Sequence, residues 1–372
     1  MWDPSGDGFD TSVHAPHLLP SGPSATYWGL SSHQHAAGDA TLENLLALAF
    51  SITETPYAAS RGHRAAQPRY RRHCMRDGLT TGQLEHLFTG SAWAEGPVWV
   101  PSTQTVRWSD IPNNRILEFA AATGETTDYA VGVEFTNGRT LDADGSVVQC
   151  SHGRRRVERD HEGTVTGLVD SFQGRRLNSP NDVVVARDSS IWFTDPPYGI
   201  LPGTKEGHEG EQEYGGCYVF RFEPASGALT AVVTDLVYPN GLAFSPDESV
   251  LYVTDTAGPA HGVPLRIVAY AVRDGVCSPS GNILELDEGH AADGLRVDVQ
   301  GRIWTSAGNS VRVYSPSFQL LDTIDVPEKV SNLCFGGPDG QDLYITASTS
   351  LYRIRSTTRD AAARGITPVR KP

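Results

Sequence analysis

The chain has 372 residues, enough for one large domain or two small ones and for a well-buried core. Its formal charge of −14 argues against nucleic acid or an anionic membrane as partner, because both demand a basic surface; the acidic excess reads as solvated surface. Three lysines (Lys205, Lys329, Lys371) stand against 27 arginines, a bias of genome composition rather than of function. Five cysteines with no CxxC spacing form neither a disulfide framework nor a zinc site, so a reducing compartment, the cytoplasm, is expected. No run of 18 apolar residues occurs, and no membrane span is predicted.

Residues 1–40 are rich in Ser, Gly, Pro and His without a sustained period, a composition that predicts disorder. Ala40 to Phe50 fits one short amphipathic helix with Thr41 as its cap. It lacks the basic start of a secretory signal and lies too far from the N-terminus to be one. Residues 61–73 are basic and polar and read as a linker. Met75 opens Met-Arg-Asp-Gly-Leu directly before the patterned region. The reading is that Met75 is the natural start and residues 1–74 a mis-assigned or dispensable extension, with a regulatory tail as the rival. The expected division is therefore 1–74, a folded domain over 75–360, and a C-terminal tail over 361–372.

From Glu95 onward one unit recurs: a short polar turn, an apolar strand, then a second strand. The six openings are Glu95-Gly96-Pro97, Asn137-Gly138-Arg139, Asn181-Asp182-Val183, Asn240-Gly241-Leu242, Asp293-Gly294-Leu295 and Ser331-Asn332-Leu333. They lie 42, 44, 59, 53 and 38 residues apart, in or near the range of four-stranded propeller blades. The fourth repeat is the clearest, with Asn240 to Phe244 innermost, Val250 to Asp255 second, Arg266 to Val272 third and Gly281 to Leu286 fourth. Apolar, β-branched or aromatic runs between Pro-Asp or Asp-Gly turns read as strands. The last repeat has only three strands, and Leu84-Glu85-His86-Leu87-Phe88 is available to supply the fourth. The fold class is thus all-β, a six-bladed β-propeller of four-stranded blades. An N-terminal strand closes the ring on the C-terminal blade and removes an exposed edge.

In such a ring the repeat openings converge on the axis, which predicts that Glu95, Asn181, Asn240 and Asp293 meet at one mouth of the central channel. Two carboxylates and two amide oxygens suit one divalent cation, Ca2+ first, with Mg2+ and Mn2+ as alternatives; Zn2+ is less natural without His or Cys. Asn-Gly and Asp-Gly are ordinary turn dipeptides, so Asn240 or Asp293 alone carries little weight. Glutamate has no such turn preference, and the joint pattern outweighs each member. Asn181 and Asn178 compete as turn formers in Asn178-Ser179-Pro180-Asn181. Asn137 is kept as a substrate contact or a bystander. His152 is the histidine best placed for proton transfer or for holding a substrate oxygen. The loop from Asp195 to about Tyr214 is the longest on that face and reads as a lid or a simple insertion. No GxSxG elbow, HExxH, P-loop or strand-GxGxxG-helix unit is present.

Glu95-Gly96-Pro97-Val98-Trp99, Arg176-Leu177-Asn178-Ser179-Pro180-Asn181-Asp182-Val183, Trp192-Phe193-Thr194-Asp195-Pro196-Pro197-Tyr198-Gly199, Pro239-Asn240-Gly241-Leu242 and Ala292-Asp293-Gly294 resemble the gluconolactonase group. That group belongs to the gluconolactonase, senescence marker protein (regucalcin) and luciferin-regenerating enzyme family, and the likeness spans about residues 80–356. It implies a six-bladed propeller with a divalent cation in its channel that hydrolyses lactones. Glu95, Asn240 and Asp293 fall on the family's core metal ligands. Asn181 falls on an asparagine that ligates the metal directly or through water and contacts substrate. Residues 1–74 match nothing in the pattern. The expected reaction is hydrolysis of a small-molecule aldonolactone, with Asp293 as general base, Glu95 chiefly a ligand, and Asn181, Asn137 and His152 binding sugar hydroxyls. A propeller hydrolysing organophosphates or aryl esters, and a non-catalytic binding propeller, are the alternatives.

Overall fold

The computed structural model describes residues 78–363; the helix expected over 40–50, the linker and Met75 lie outside the described residues. Six antiparallel four-stranded sheets make the predicted six-bladed propeller. Their innermost strands are Ala94–Val100, Thr136–Leu141, Val183–Val185, Pro239–Phe244, Leu295–Val297 and Val330–Gly336. Each innermost strand touches that of the next blade, and the sixth touches the first. Burial falls outward within a blade. In blade one Ala94–Val100 is buried along its whole length, whereas the fourth strand Thr126–Val131 is largely open. Inner strands are covered on both faces and so read as continuous apolar runs, which outer strands do not. That is why the fourth strand of blade four, expected at Gly281, in fact begins at Val276 and runs to Glu285: its residues are mostly exposed.

The ring closes as predicted. Thr80–Thr89 pairs antiparallel with Ser350–Ser356, from Thr80 opposite Ser356 to Thr89 opposite Ser350. The core is divided into apolar seams between blades. Trp108, Trp192 and Trp304, each from the second strand of its blade, fill the seams of blades six and one, three and four, and five and six. The seam between blades one and two is the thinnest, built on Val98, Val100 and Val147. Arg139 completes it, fully buried and donating to Gly96 O at 3.2 Å, Ser109 Oγ at 2.6 Å and Thr136 Oγ1 at 3.3 Å. Among the described residues no helix is long and apolar enough to cross a membrane.

Candidate functional site at the axial mouth

The six repeat openings form one hydrogen-bonded belt around the axis. Ser109 Oγ of blade one donates to Asn137 O (3.0 Å), Gly138 N to Asn181 O (2.8 Å), and Thr194 Oγ1 to Asn240 O (2.7 Å). Gly241 N then donates to Asp293 O (3.1 Å), Gly294 N to Ser331 O (2.8 Å), and Ser331 Oγ to Ala94 O (2.5 Å). The belt leaves no space for a side chain where glycine takes the second position of a repeat. A Cβ on Gly96, Gly138 or Gly241 would lie 2.2, 2.5 or 2.2 Å from the carbonyl oxygen of Asn137, Asn181 or Asp293. Glycine follows the opening residue because the neighbouring backbone occupies the space a side chain would need.

The strand-end aspartates hold these openings in place. Asp110 Oδ1 accepts from Ala92 N at 2.8 Å, Asp195 Oδ2 from Asn178 N at 2.7 Å, and Asp255 Oδ1 from Tyr238 N at 2.9 Å. Each clamp thus grips the chain two or three residues ahead of Glu95, Asn181 or Asn240. In blade five Ser306 Oγ accepts from Asp293 N at 2.7 Å.

Glu95 is buried, and Asn332 Nδ2 donates to its Oε2 at 3.0 Å. Burial, reinforced by the negative charge of Asp293, pushes the Glu95 carboxyl well above the usual carboxylate range. Burial likewise raises Asp293 to about 7, opposed by the positive charge of Lys329 and by a hydrogen bond from the Asn240 side chain. Blades one and five therefore aim two mutually repelling carboxylates at one place, each held by a carboxamide. Asn332 escaped the sequence reading because it stands at the second position of its repeat, where glycine is the rule. The deviation itself was the available signal.

Asn178, not Asn181, is the turn former: its Nδ2 donates to Asp195 O at 3.0 Å and Gly216 O at 3.1 Å. The Asn181 side chain is buried and has no hydrogen-bond partner among the described residues. Asn137 Nδ2 meets His152 Nε2 at 3.2 Å, while Asn137 Oδ1 is buried without a partner. His152 is fully buried, and its Nδ1 lies 2.9 Å from Glu206 O. A carbonyl can only accept, so the proton sits on Nδ1 and Nε2 accepts from Asn137. Burial lowers the His152 pKa to about 4, which keeps the ring neutral near pH 7.

Among the described residues no group of three or more His, Cys, Asp or Glu side chains could hold a metal ion. The axial donors are instead two carboxylates supplemented by carboxamides. The far end of the channel is lined by residues 360–363. Asp360 bridges to Asp298, Ala361 N donates to Val297 O at 2.9 Å, and residues 360–363 line a cavity of about 160 Å³ with the ends of Leu141, Val185, Phe244 and Val297. The buried Arg296 lies between the two ends, 3.6 Å from Asp182.

Fold and site together define a six-bladed propeller whose axial mouth gathers carboxylate and carboxamide oxygens. Residues 93–349 match the SMP-30/Gluconolactonase/LRE-like region, and the chain belongs to that family. It is 32% identical to a gluconolactonase of Zymomonas mobilis over 302 residues, 74% of this chain and 82% of that protein. It is 30% identical to a pentonolactonase of Haloferax volcanii over 267 residues, 70% of this chain and 83% of that one. The solved structure of a gluconolactonase from Xanthomonas campestris superposes with a TM-score of 0.69 at 36% identity, covering 75% of this chain and 91% of that one.

Proposed function

We propose that this chain opens a sugar lactone to its acid with a divalent cation, Ca2+ favoured, held by Glu95, Asn181, Asn240 and Asp293. Family membership and relatives that are lactonases over most of their length support lactone hydrolysis. The observation that carries the site is the pair of carboxylates at the axial mouth. The charge of Asp293 raises the cost of ionising Glu95, and neither carboxylate forms an ion pair among the described residues. Uncompensated like charges in a buried place are unfavourable unless a cation joins them. The donors are all oxygen, which fits a hard cation and fits zinc poorly. The unpartnered oxygen of Asn137 and the free carboxamide of Asn181 add polar capacity beside the pair.

A bound cation supplies Lewis-acid polarisation of the lactone carbonyl and a lowered pKa for the attacking water. Asp293 takes the proton from that water. In the metal-free chain burial raises its pKa, and a bound cation would favour its ionised form, in which it can accept a proton. Glu95, fixed by Asn332, contributes charge and coordination rather than proton transfer. His152 works through Asn137: by accepting from Nδ2 it turns Oδ1 away from itself, leaving that oxygen for a substrate hydroxyl. Asn181 turns its Oδ1 to the cation and leaves its Nδ2 for the same substrate. The assay is acid release from glucono-1,5-lactone with metal content measured on the same sample. Asp293→Ala and Glu95→Ala are expected to abolish turnover, as is removal of the metal. Full activity in chelator-treated protein refutes the cation. Preference for aryl esters or phosphotriesters over lactones reassigns the substrate.

A further inference from the structure

The chain between Asp195 and Tyr218 is the longest connection on the mouth face, and it is docked rather than loose. It contains a short 3-10 turn, Tyr198–Ile200. His152 Nδ1 donates to Glu206 O at 2.9 Å, His208 Nε2 lies 2.9 Å from Glu134 Oε2, and Arg155 Nη2 donates to Glu211 O at 3.0 Å. A Cβ on Gly207 would stand 2.1 Å from Gly199 O, and one on Gly199 would stand 2.5 Å from the His152 Cβ. Backbone therefore stacks on backbone from His152 outward, and Glu206 is fixed at the top of that stack.

The connection carries four glutamates. Glu209 accepts from Gly203 N at 2.9 Å, Glu213 accepts from Arg176 N at 2.7 Å, and Glu211 is exposed. Glu206 is the exception: it is half-buried, and its carboxylate has neither a hydrogen bond nor an ion pair among the described residues. Its charge is felt at Asp293, where it opposes ionisation. Burial alone raises Glu206 to about 7. A carboxylate withdrawn from water without donors is costly, and the cost is recovered when donors arrive. An ionised carboxylate offers two acceptor oxygens, which match adjacent hydroxyls on one ring.

We propose that Glu206 is a specificity-determining residue that accepts hydrogen bonds from ring hydroxyls of the substrate, selecting polyhydroxylated lactones over unsubstituted ones. This rests on the lactone-hydrolase reading and extends it to substrate choice. A lactone without hydroxyls leaves Glu206 unpaired, and sites built to bond a hydroxyl discriminate strongly against analogues that lack it.

The experiment compares the full chain with Glu206→Gln and Gly207→Ala on glucono-1,5-lactone and on δ-valerolactone. Binding of glucono-1,5-lactam, an uncharged and non-hydrolysed analogue, is measured by calorimetry, and metal content is recorded for each protein. For Glu206→Gln the expected result is a KM for glucono-1,5-lactone raised at least about tenfold. Lactam affinity is expected to fall by a similar factor, with the KM for δ-valerolactone and the bound metal unchanged. Gly207→Ala, which pushes the stack apart, is expected to reproduce the KM effect. Equal losses on both lactones, unchanged KM, or loss of the metal overturns the assignment. Wild-type protein that turns over neither lactone refutes the parent reading, and the lactam arm then decides Glu206 on its own.

Discussion

Removing the charge of Asp293 should stabilise the metal-free protein while ending its activity. In the folded chain burial raises this carboxyl from 3.8 to about 7. A carboxyl whose pKa is raised by folding contributes its full stability below the unfolded value, near 4, and loses it as pH rises through 7. The native state keeps a proton there that the unfolded chain has already released. At 1.36 kcal/mol per pKa unit, the metal-free protein at pH 8 is roughly 4 kcal/mol less stable on this account than one with a neutral side chain at 293. Asp293→Asn supplies that side chain at nearly constant shape. The expected outcome, in chelator, is a variant more stable than wild type by that order at pH 8, a melting difference of about 10 °C. The difference should shrink to nothing near pH 4. Adding Ca2+ at pH 8 should raise the melting temperature of the wild type, by linkage to binding, and raise that of the variant far less. Urea or thermal unfolding across pH 4–8 measures all three. A variant no more stable than wild type at pH 8, or a gain independent of pH, refutes the argument that this carboxylate is held at a cost for a cation.

Three further outcomes follow from the closure, the belt and the buried histidine. Deleting residues 79–89 strips the outer strand from Ser350–Ser356 and is expected to unfold the domain, whereas deleting 1–74 leaves its melting temperature unchanged; equal melting of both truncations counts against closure. Gly241→Ala sets a Cβ 2.2 Å from Asp293 O, so it should lower both stability and turnover, and a crystal structure should show the Asp293 carbonyl displaced. Because His152 titrates near 4, His152→Gln should reduce the rate without moving any limb of the pH–rate profile between pH 6 and 9. A shifted limb would assign the histidine a proton-transfer role.

What the sequence disclosed followed the gradient of burial. The inner two strands of each blade announce themselves as apolar runs because both faces are covered, and their openings are marked by Asn-Gly and Asp-Gly. The fourth strands do not: Val276–Glu285 is exposed nearly throughout and is held by its ladder with Arg266–Arg273, which leaves little trace in composition. Of the candidate site, Glu95 and Asp293 were readable from repeat position, since position in the repeat is position on the axis. Asn332 and Glu206 were not, for different reasons. Asn332 depends on the register of a belt in which second positions are normally empty. Glu206 lies in a connection with no repeat counterpart, and only the contact of its backbone with His152 shows where it stands. His152 illustrates the converse: its place beside the mouth was foreseen, but its total burial, and hence its neutrality, is a property of packing.

The belt also bears on where a substrate sits in the proposed reading. Successive blades are tied at their openings by hydrogen bonds of 2.5 to 3.1 Å, some from second-strand hydroxyls, and the glycines at 96, 138 and 241 admit no Cβ. Below this ring, the buried Arg296 lies 3.6 Å from Asp182, and residues 360–363 line a cavity with the strand ends. On the proposed reading a lactone approaches from the face that carries Asn137, Tyr198 and Glu206. On that face the walls come from connections rather than strands, so the belt holds the reactive centre constant while the connections set the choice of substrate. Exchanging the 196–217 connection for that of another member of the family should change which lactone is preferred while leaving cation affinity as it was. A change in cation affinity without a change in preference would place selection in the belt instead.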